Sequence, residues 1–298
     1  KSLLIRSNFT GTINNTGQST LKEQMTGGYY GNSLWRNLAG SYLTLKDESA
    51  YLTGTTSATL VNESGAEVKK AGAGVSSIEW DIVNGGNIRI ESGGLSISGD
   101  VSGTGSIQAD ANTSLHIYSN EFQIHTLTLD PTANLDFRGS RLEVTNFNGN
   151  FAQQSGTYSP GASPAISTLD GNYSMTNGSI FEVELAGSIP GQFDQLTVTG
   201  NVDLVHGQLS VALLNGFTVN NGQHFDFMIV DGILNGTFLN LAEGALVGNF
   251  GTDVFITYRA GDGNDIALYT APVPVPPAFW LMTSSLLGLV SLSRRKRA

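Results

Sequence analysis

Asp110, Asp130 and Asp136 are the residues whose type and spacing come nearest to chemistry. Paired carboxylic acids are what glycoside hydrolysis needs, one protonated and one ionised. Asp110 and Asp130 stand one period apart in the repeat described below, and with Asp136 they are expected to share one face. Acids at turns serve structure equally well, because a short carboxylate bonds neighbouring backbone amides, and no basic residue recurs beside them from copy to copy. His116, His125, His206 and His224 are the only histidines, and none sits at a metal-ligand spacing such as H-x-x-x-H. His116 lies between the apolar Leu115 and Ile117, so it is expected to face outward as an ordinary polar strand residue. No G-x-S-x-G elbow occurs, which leaves a serine hydrolase without an anchor. Gly85-Gly86 and Gly93-Gly94 read as turn glycines rather than phosphate loops, since no Lys or helix pattern follows. Gly261-Asp-Gly-Asn-Asp265 matches half of a calcium-binding nonapeptide but occurs once, with Ala260 and Ala267 in the wrong places; a hairpin turn is the better reading. There is no cysteine, hence no thiolate site and no Cys nucleophile. No catalytic residue, metal or cofactor is therefore expected, and the leading expectation is a protein that is not an enzyme.

The elements that must position such residues are short strands. Apolar residues alternate with polar ones at Leu95/Ile97, Leu115/Ile117, Leu127/Leu129, Leu135/Phe137, Leu142/Val144 and Phe225/Phe227/Ile229, the period of half-buried strands. A longer register runs through the middle of the chain. Leu95/Ile97 repeats as Leu115/Ile117 and Leu135/Phe137; Phe122/Ile124 repeats as Leu142/Val144; Ile107 repeats as Leu127 and Phe147. Asp110, Asp130 and Asn150 fall on the same period at expected turns. A 20-residue unit with three strands and three turns is one coil of a parallel β-helix, in which equivalent positions stack and inward Leu, Ile and Phe form a continuous core. Further on, Gly171 to Ile180 matches Gly200 to Leu209 at a spacing of 29, after which the apolar parity slips, as a bulge would cause. The expected organisation is regular coils over 1–150, a less regular solenoid with a closing cap of paired strands over 151–270, a Pro-rich spacer over 271–277, an apolar segment over 278–293 and a basic tail over 294–298.

Composition agrees with many strands and tight turns: 37 glycines, 13% charged residues and 40% hydrophobic ones, enough apolar content for a core. The formal charge is −10, and it is unevenly placed. Without Arg294, Arg295, Lys296 and Arg297 the remainder holds 11 basic residues against 25 acidic, a net of −14. So acidic a body repels nucleic acid, and nucleic-acid binding is not expected. The first twenty residues, starting at Lys1, contain no apolar signal-peptide core, so either a signal has been removed or the sequence is a fragment; a fragment is the favoured expectation, because the C-terminal pattern below demands export.

The C-terminal stretch carries the most specific pattern. Ala271-Pro-Val-Pro-Val-Pro-Pro277 is an extended spacer, since each Pro fixes φ and removes a donor. Sixteen uncharged residues, 278–293, then span about 24 Å as a helix, a little short of the ~30 Å hydrocarbon layer. Trp280 marks one interface and Arg294, Arg295, Lys296 and Arg297 the other, so the basic end is expected in the cytoplasm and the body outside. Val273-Pro-Val-Pro-Pro-Ala-Phe-Trp-Leu281, then Ser285-Leu286-Leu287-Gly288-Leu289, then the basic cluster, resembles a PEP-CTERM sorting signal of the variant usually written Val-Pro-Leu-Pro-Ala. Val275 stands where that pattern usually has Glu or Leu. The resemblance implies a Gram-negative host that makes exopolysaccharide, an exosortase-type enzyme that recognises the signal, and processing near Val273, Pro274, Val275 and Pro276. It further implies an inner-membrane precursor held by Trp280, Leu281 and Leu286–Leu289, delivered afterwards to the cell surface or extracellular matrix.

A second resemblance lies in the body. Ser155 to Pro164, Gly171-Asn-Tyr, Phe193-Asp-Gln-Leu-Thr-Val198 and Leu209 to Phe217 are similar to the distal part of autotransporter passengers, with Ala165 where Gly is usual. That implies a right-handed parallel β-helix exposed at the cell surface. The combined expectation is an all-β solenoid with a C-terminal transmembrane sorting helix, acting as a structural or adhesin-like surface protein associated with exopolysaccharide and biofilm. A β-helix polysaccharide lyase or glycoside hydrolase is the alternative.

Overall fold

The computed structural model describes residues 2–3, 8–46, 50–55 and 57–271. They form an all-β solenoid of about 8 turns with no helix. Each coil lays one strand on each of three sides, in a fixed order. In one coil Val75–Ile78 lies on side one, Asp81–Asn84 on side two and Asn87–Ile90 on side three. Every coil stacks parallel on the last, so residues repeat in line: on side one Ile78 pairs with Leu52 and Ile97, and Ile97 with Ile117. On side three Ile88 pairs with Val68 and Ile107, and the row continues through Leu127 and Phe147. These side chains are buried and make the axial core. A period-2 strand can bury only one of its faces, and stacking gives that face an apolar neighbour above and below.

The 20-residue register holds where the sequence shows it: Leu95 pairs with Leu115, Leu115 with Leu135, Phe122 with Leu142 and Ile124 with Val144. Leu135 is only half-buried, because its strand, Asn134–Phe137, ends the seven-stranded ladder of side one and nothing stacks over it. Side one resumes as a separate four-stranded ladder that opens with Phe151–Gln153. Sides two and three belong to one 22-stranded sheet, since Glu121–Leu129 and Arg141–Asn148 each run across the corner between them.

Later coils are longer, as the widening separation of paired residues shows: Ser167 pairs with Leu196, and Leu196 in turn with Met228. A longer coil encloses a wider interior, and larger side chains fill it. Phe151, Tyr158, Tyr173 and Phe181 pack in series with ring centroids 5.4 to 6.1 Å apart. The parity slip has its cause here too, and it is not a bulge. Tyr173 pairs with Val202, but Phe181 pairs with Leu209, a separation shorter by one. The missing position is lost at the corner between them, where His206 turns the chain with φ 66° in place of the Gly178 turn of the previous coil. Phe181, Val183 and Leu185 thus stack on Leu209, Val211 and Leu213, and all six face inward.

The open end of the stack is closed by antiparallel strands. Asp265–Thr270 pairs antiparallel with both His224–Val230 and Asp253–Ala260, which covers the last rung of side three. Gly261 to Asp265 is the hairpin turn between the two. Asn264 Nδ2 donates to the carbonyls of Val230 and Gly232, and Asp265 accepts the Val230 N–H, which ties the turn to the coil.

At the corner between sides two and three, the first coils bury a column of amides. Asn15 Nδ2 donates to Asn37 Oδ1 at 2.7 Å, Asn37 to Asn62 at 2.9 Å and Asn62 to Asn84 at 2.8 Å. Each amide spends its second N–H on a backbone carbonyl of the next coil: Tyr42, Glu67, Asn87 and Ser106 in turn. Buried polar groups persist only when bonded, and a parallel stack gives each amide an identical donor below and acceptor above. The column ends where Gly103 takes the position of Asn and has no side chain to extend it.

Candidate functional site

The outer surface of side three is the most continuous candidate. Its first outward row is Gln18, Tyr42, Glu67, Asn87, Ser106 and Thr126, one residue per coil. The second is Thr20, Thr44, Lys69, Arg89, Gln108 and Thr128. Strand alternation sends Leu45, Val68, Ile88 and Ile107 inward and leaves amides, hydroxyls, one exposed phenol ring and the charged Glu67, Lys69 and Arg89 outside. Coils stack about 4.8 Å apart, so the rows are regular.

Two hollows meet at Tyr42. One, of ≈ 350 Å³, is bounded by Gln18, Thr20, Thr44 and Lys69. The other, of ≈ 480 Å³, runs past Glu67, Asn87, Ser106 and Thr126. Gly86 and Gly105 form part of its wall because the coils come too close for a side chain there. A Cβ on Gly86 would fall 2.3 Å from the Ala66 carbonyl, and one on Gly105 2.3 Å from that of Gly86. The Lys69 ammonium lies 5.4 Å from the centre of the Tyr42 ring and also binds Glu67 and Glu91 at 3.4 and 3.2 Å. Hydrogen bonding to Glu91 is the main influence holding the Lys69 ammonium above its ordinary pKa. Arg89 binds Asp110 at 2.9 Å. The cations of the two rows are thus neutralised where they stand.

Side two carries a different chemistry. Asp81, Asp100 and Glu121 follow one another on its outer row, and none of them has an ion pair among the described residues. Next comes Arg141, with Nε on Glu143 at 2.6 Å, Nη1 on Glu182, and Nη2 on Glu184 and Ser159 at 3.2 and 3.1 Å. A guanidinium engaged on all three nitrogens fastens three coils together. Burial pushes the Glu184 carboxyl up, opposed by Arg141.

The three acids expected on one face do not share it. Asp110 and Asp130 occupy successive corners between sides three and one, whereas Asp136 lies within a strand of side one. Asp110 is held by Arg89, and Asp130 accepts the N–H and hydroxyl of Thr132. Asp136 faces Arg138 at 2.9 Å and His116 at 3.4 Å. His116 does point outward, and its ring stacks on Tyr118 with centroids 6.4 Å apart. Its acidic partner is one coil away, so the pairing is invisible to any local motif. Among the described residues no group of His, Asp and Glu is arranged to hold a metal ion.

Among the carboxyl groups Asp194 is the most perturbed. Its fully buried carboxylate accepts the N–H of Ala165 at 2.8 Å and of Glu184 at 2.9 Å, tying the turn before Ile166 to the strand Ser179–Leu185. Burial pushes this carboxyl up to about 7, against the pull of its two donors. In the unfolded chain it ionises near the ordinary carboxylate value of 3.8. Between about pH 4 and pH 7 the folded state therefore holds the extra proton, and stability falls as pH rises through that window. Urea midpoints measured from pH 4 to 7 should decrease, and Asp194→Asn should flatten that slope while costing stability at every pH through one lost acceptor.

The residues assigned to sorting and anchoring, Val273 to Pro276, Trp280, Leu281, Leu286 to Leu289 and Arg294 to Arg297, lie outside the described residues. Among those described, no helix is long and apolar enough to cross a membrane. No protein-family model matches the chain, and no curated protein matches it. No family is assigned.

Two features escaped the sequence reading. The amide column is signalled by an apolar residue two before each Asn and a Gly shortly after: Ile13-x-Asn15, Trp35-x-Asn37, Leu60-x-Asn62 and Ile82-x-Asn84. Its spacings of 22, 25 and 22 are uneven, which hides it from a search at fixed period. The Arg141 cluster joins residues 41 and 43 apart and carries no local signature.

Proposed function

We propose that this chain is an exported surface or matrix protein of structural or adhesin type, associated with exopolysaccharide and not an enzyme. Its C-terminal pattern serves as the sorting signal: an exosortase-type enzyme acts near Val273 to Pro276, residues 278–293 hold the precursor in the inner membrane, and Arg294 to Arg297 stay inside. The coil is taken as right-handed, in keeping with the autotransporter-like residues and with the strong right-handed preference of parallel crossovers. The observation that supports this reading is the outer strip of side three, a long, regular, polar surface carried on a rigid stack and flanked by open hollows. Rigid repeat surfaces of this kind suit extended partners.

The competing reading, a polysaccharide lyase or hydrolase, draws on the acids gathered at Arg141. There the guanidinium occupies Glu143, Glu182 and Glu184, a brace rather than an acid–base pair held apart for a sugar. Incubating the chain with exopolysaccharide and assaying new reducing or unsaturated ends separates the two. No increase over the buffer rate is expected, and ends forming at enzymatic rates would overturn the proposal.

The sorting part has its own test. Deleting residues 278–298 should release the protein as a soluble product in cell fractionation, because the acidic body offers anionic lipid no electrostatic hold. Retention of the shortened chain in the membrane fraction would refute it.

A further inference from the structure

We infer that the outer strip of side three docks an uncharged, extended polysaccharide lying along the solenoid axis, with the Tyr42 ring as its stacking platform. This rests on the binding reading proposed above and narrows its ligand to a chemical class.

Four observations converge on it. First, apart from Glu67, Lys69 and Arg89, the two straight rows of the strip are amides and hydroxyls, groups that both donate and accept, as sugar hydroxyls do. Second, Tyr42 is exposed in the first row, 39% accessible, between the two hollows. An aromatic face covers the apolar C–H patch of a pyranose and contributes through area and ring geometry; the ammonium of Lys69 braces that ring. Third, the register suits the ligand: two coils rise about 9.6 Å, close to the two-sugar repeat of an extended β-linked glycan, so alternate sugars meet equivalent rungs. Fourth, charge decides the class. Lys69 and Arg89 are paired with Glu67, Glu91 and Asp110, so neither row presents an unpaired cation to a carboxylate or sulfate, and the exposed Lys22 and Lys46 stand one step outside the two rows. The neighbouring outer row of Asp81, Asp100 and Glu121 and the acidic body repel a polyanion further. A neutral chain incurs neither penalty. The hollow beside Asn87 and Ser106, with Gly86 and Gly105 in its wall, gives such a chain room to continue past the ring.

The side-one surface has an exposed ring as well, Tyr118, but it is stacked on His116 beside the charged pair Asp136 and Arg138, and it provides the control.

The test uses the full chain and three probes: cellohexaose, laminarihexaose and polygalacturonate, titrated calorimetrically at low and high salt. The expected result is binding of at least one neutral hexasaccharide with an affinity that salt leaves unchanged, and no binding of polygalacturonate. Tyr42→Ala should weaken that binding about tenfold, the loss of one stacking contact. Tyr42→Phe should hold it within about twofold, since the ring is kept, and Tyr118→Ala should leave it unaltered. Failure of both neutral probes, preference for polygalacturonate, or equal loss in Tyr42→Ala and Tyr118→Ala would each overturn the inference. These outcomes are independent of sorting. A chain released by tail deletion that ignores both neutral probes refutes the ligand class alone, and one that binds them yet stays in the membrane without its tail refutes the sorting reading alone.

Discussion

Replacing Leu115 by Asp is expected to abolish the cooperative fold, whereas the same change at Ser114 should be nearly silent. Leu115 is fully buried and stacked between Leu95 and Leu135. An ionised carboxylate there has no partner above, below or beside it, and burying an unpaired charge costs more than a domain's usual margin of roughly 5–15 kcal/mol. Ser114 belongs to the same strand but faces out beside His116, where a substitution typically changes stability by about 0.5 kcal/mol or less. Thermal melts followed by far-ultraviolet circular dichroism would show a lost transition for Leu115→Asp and an almost unmoved one for Ser114→Asp. Equal effects at these neighbouring positions would contradict the alternation on which the solenoid is built.

The second large effect belongs to the amide column. Asn37 accepts from Asn15 and from the Ser41 hydroxyl, and it donates to Asn62 and to the Glu67 carbonyl. Asn37→Leu leaves Asn15, Asn62 and the Glu67 carbonyl each short of a bond, at about 1–3 kcal/mol for each buried group left unbonded, while the Ser41 hydroxyl keeps the Leu38 carbonyl. Asn37→Asp keeps the two acceptor roles but loses both donors, and it sets a charge against the oxygens of Asn62 and Glu67. Both variants should lower the urea midpoint more than Asn15→Leu, because Asn15 accepts only from the part-buried Gly17 N–H and Ser19 hydroxyl and has no amide below it among the described residues. If Asn37→Asp proved as stable as the unmodified chain, the donor role of Asn37 toward Asn62 and the Glu67 carbonyl would be refuted.

The body of this fold was readable because its signal is local and repeated. Leu95, Leu115 and Leu135 announce their stacking by spacing alone, and the cap was foreshadowed by the paired-strand pattern near the end. Where coil length changes, the signal degrades. The slip between Phe181 and Leu209 looked like a bulge because residue parity cannot tell an inserted residue from a shortened corner; the left-handed turn at His206 resolves it. The candidate site was far less legible. Tyr42, Lys69 and Arg89 have no common motif, and only the strand order of side three brings them into line. Of the three acids, Asp110 and Asp130 share a period and a corner, whereas Asp136 lies six positions past that corner and so belongs to another side. Spacing reports stacking along the axis well and position around the axis poorly.

The last amide of the buried column has a consequence for the lifetime of the chain. Asn84 is followed by Gly85, the dipeptide in which a backbone nitrogen most easily attacks the side-chain amide and expels ammonia, one source of the thermal lability of asparagine. In the finished coil that nitrogen donates to the Asn62 carbonyl at 2.7 Å, while the Asn84 amide is fixed by Asn62 at 2.8 Å and the Ser106 carbonyl at 3.0 Å. Neither reacting group is free to rotate toward the other. Before the coils close, both are. At this dipeptide the column therefore separates a period of rapid ageing before the coils close from one of slow ageing after it, a protection that the exposed pairs Asn177-Gly178, Asn215-Gly216, Asn221-Gly222 and Asn235-Gly236 do not share. Damage in the first period places a carboxylate where a donor is needed, so a chain slow to fold forfeits the structure that would have preserved it.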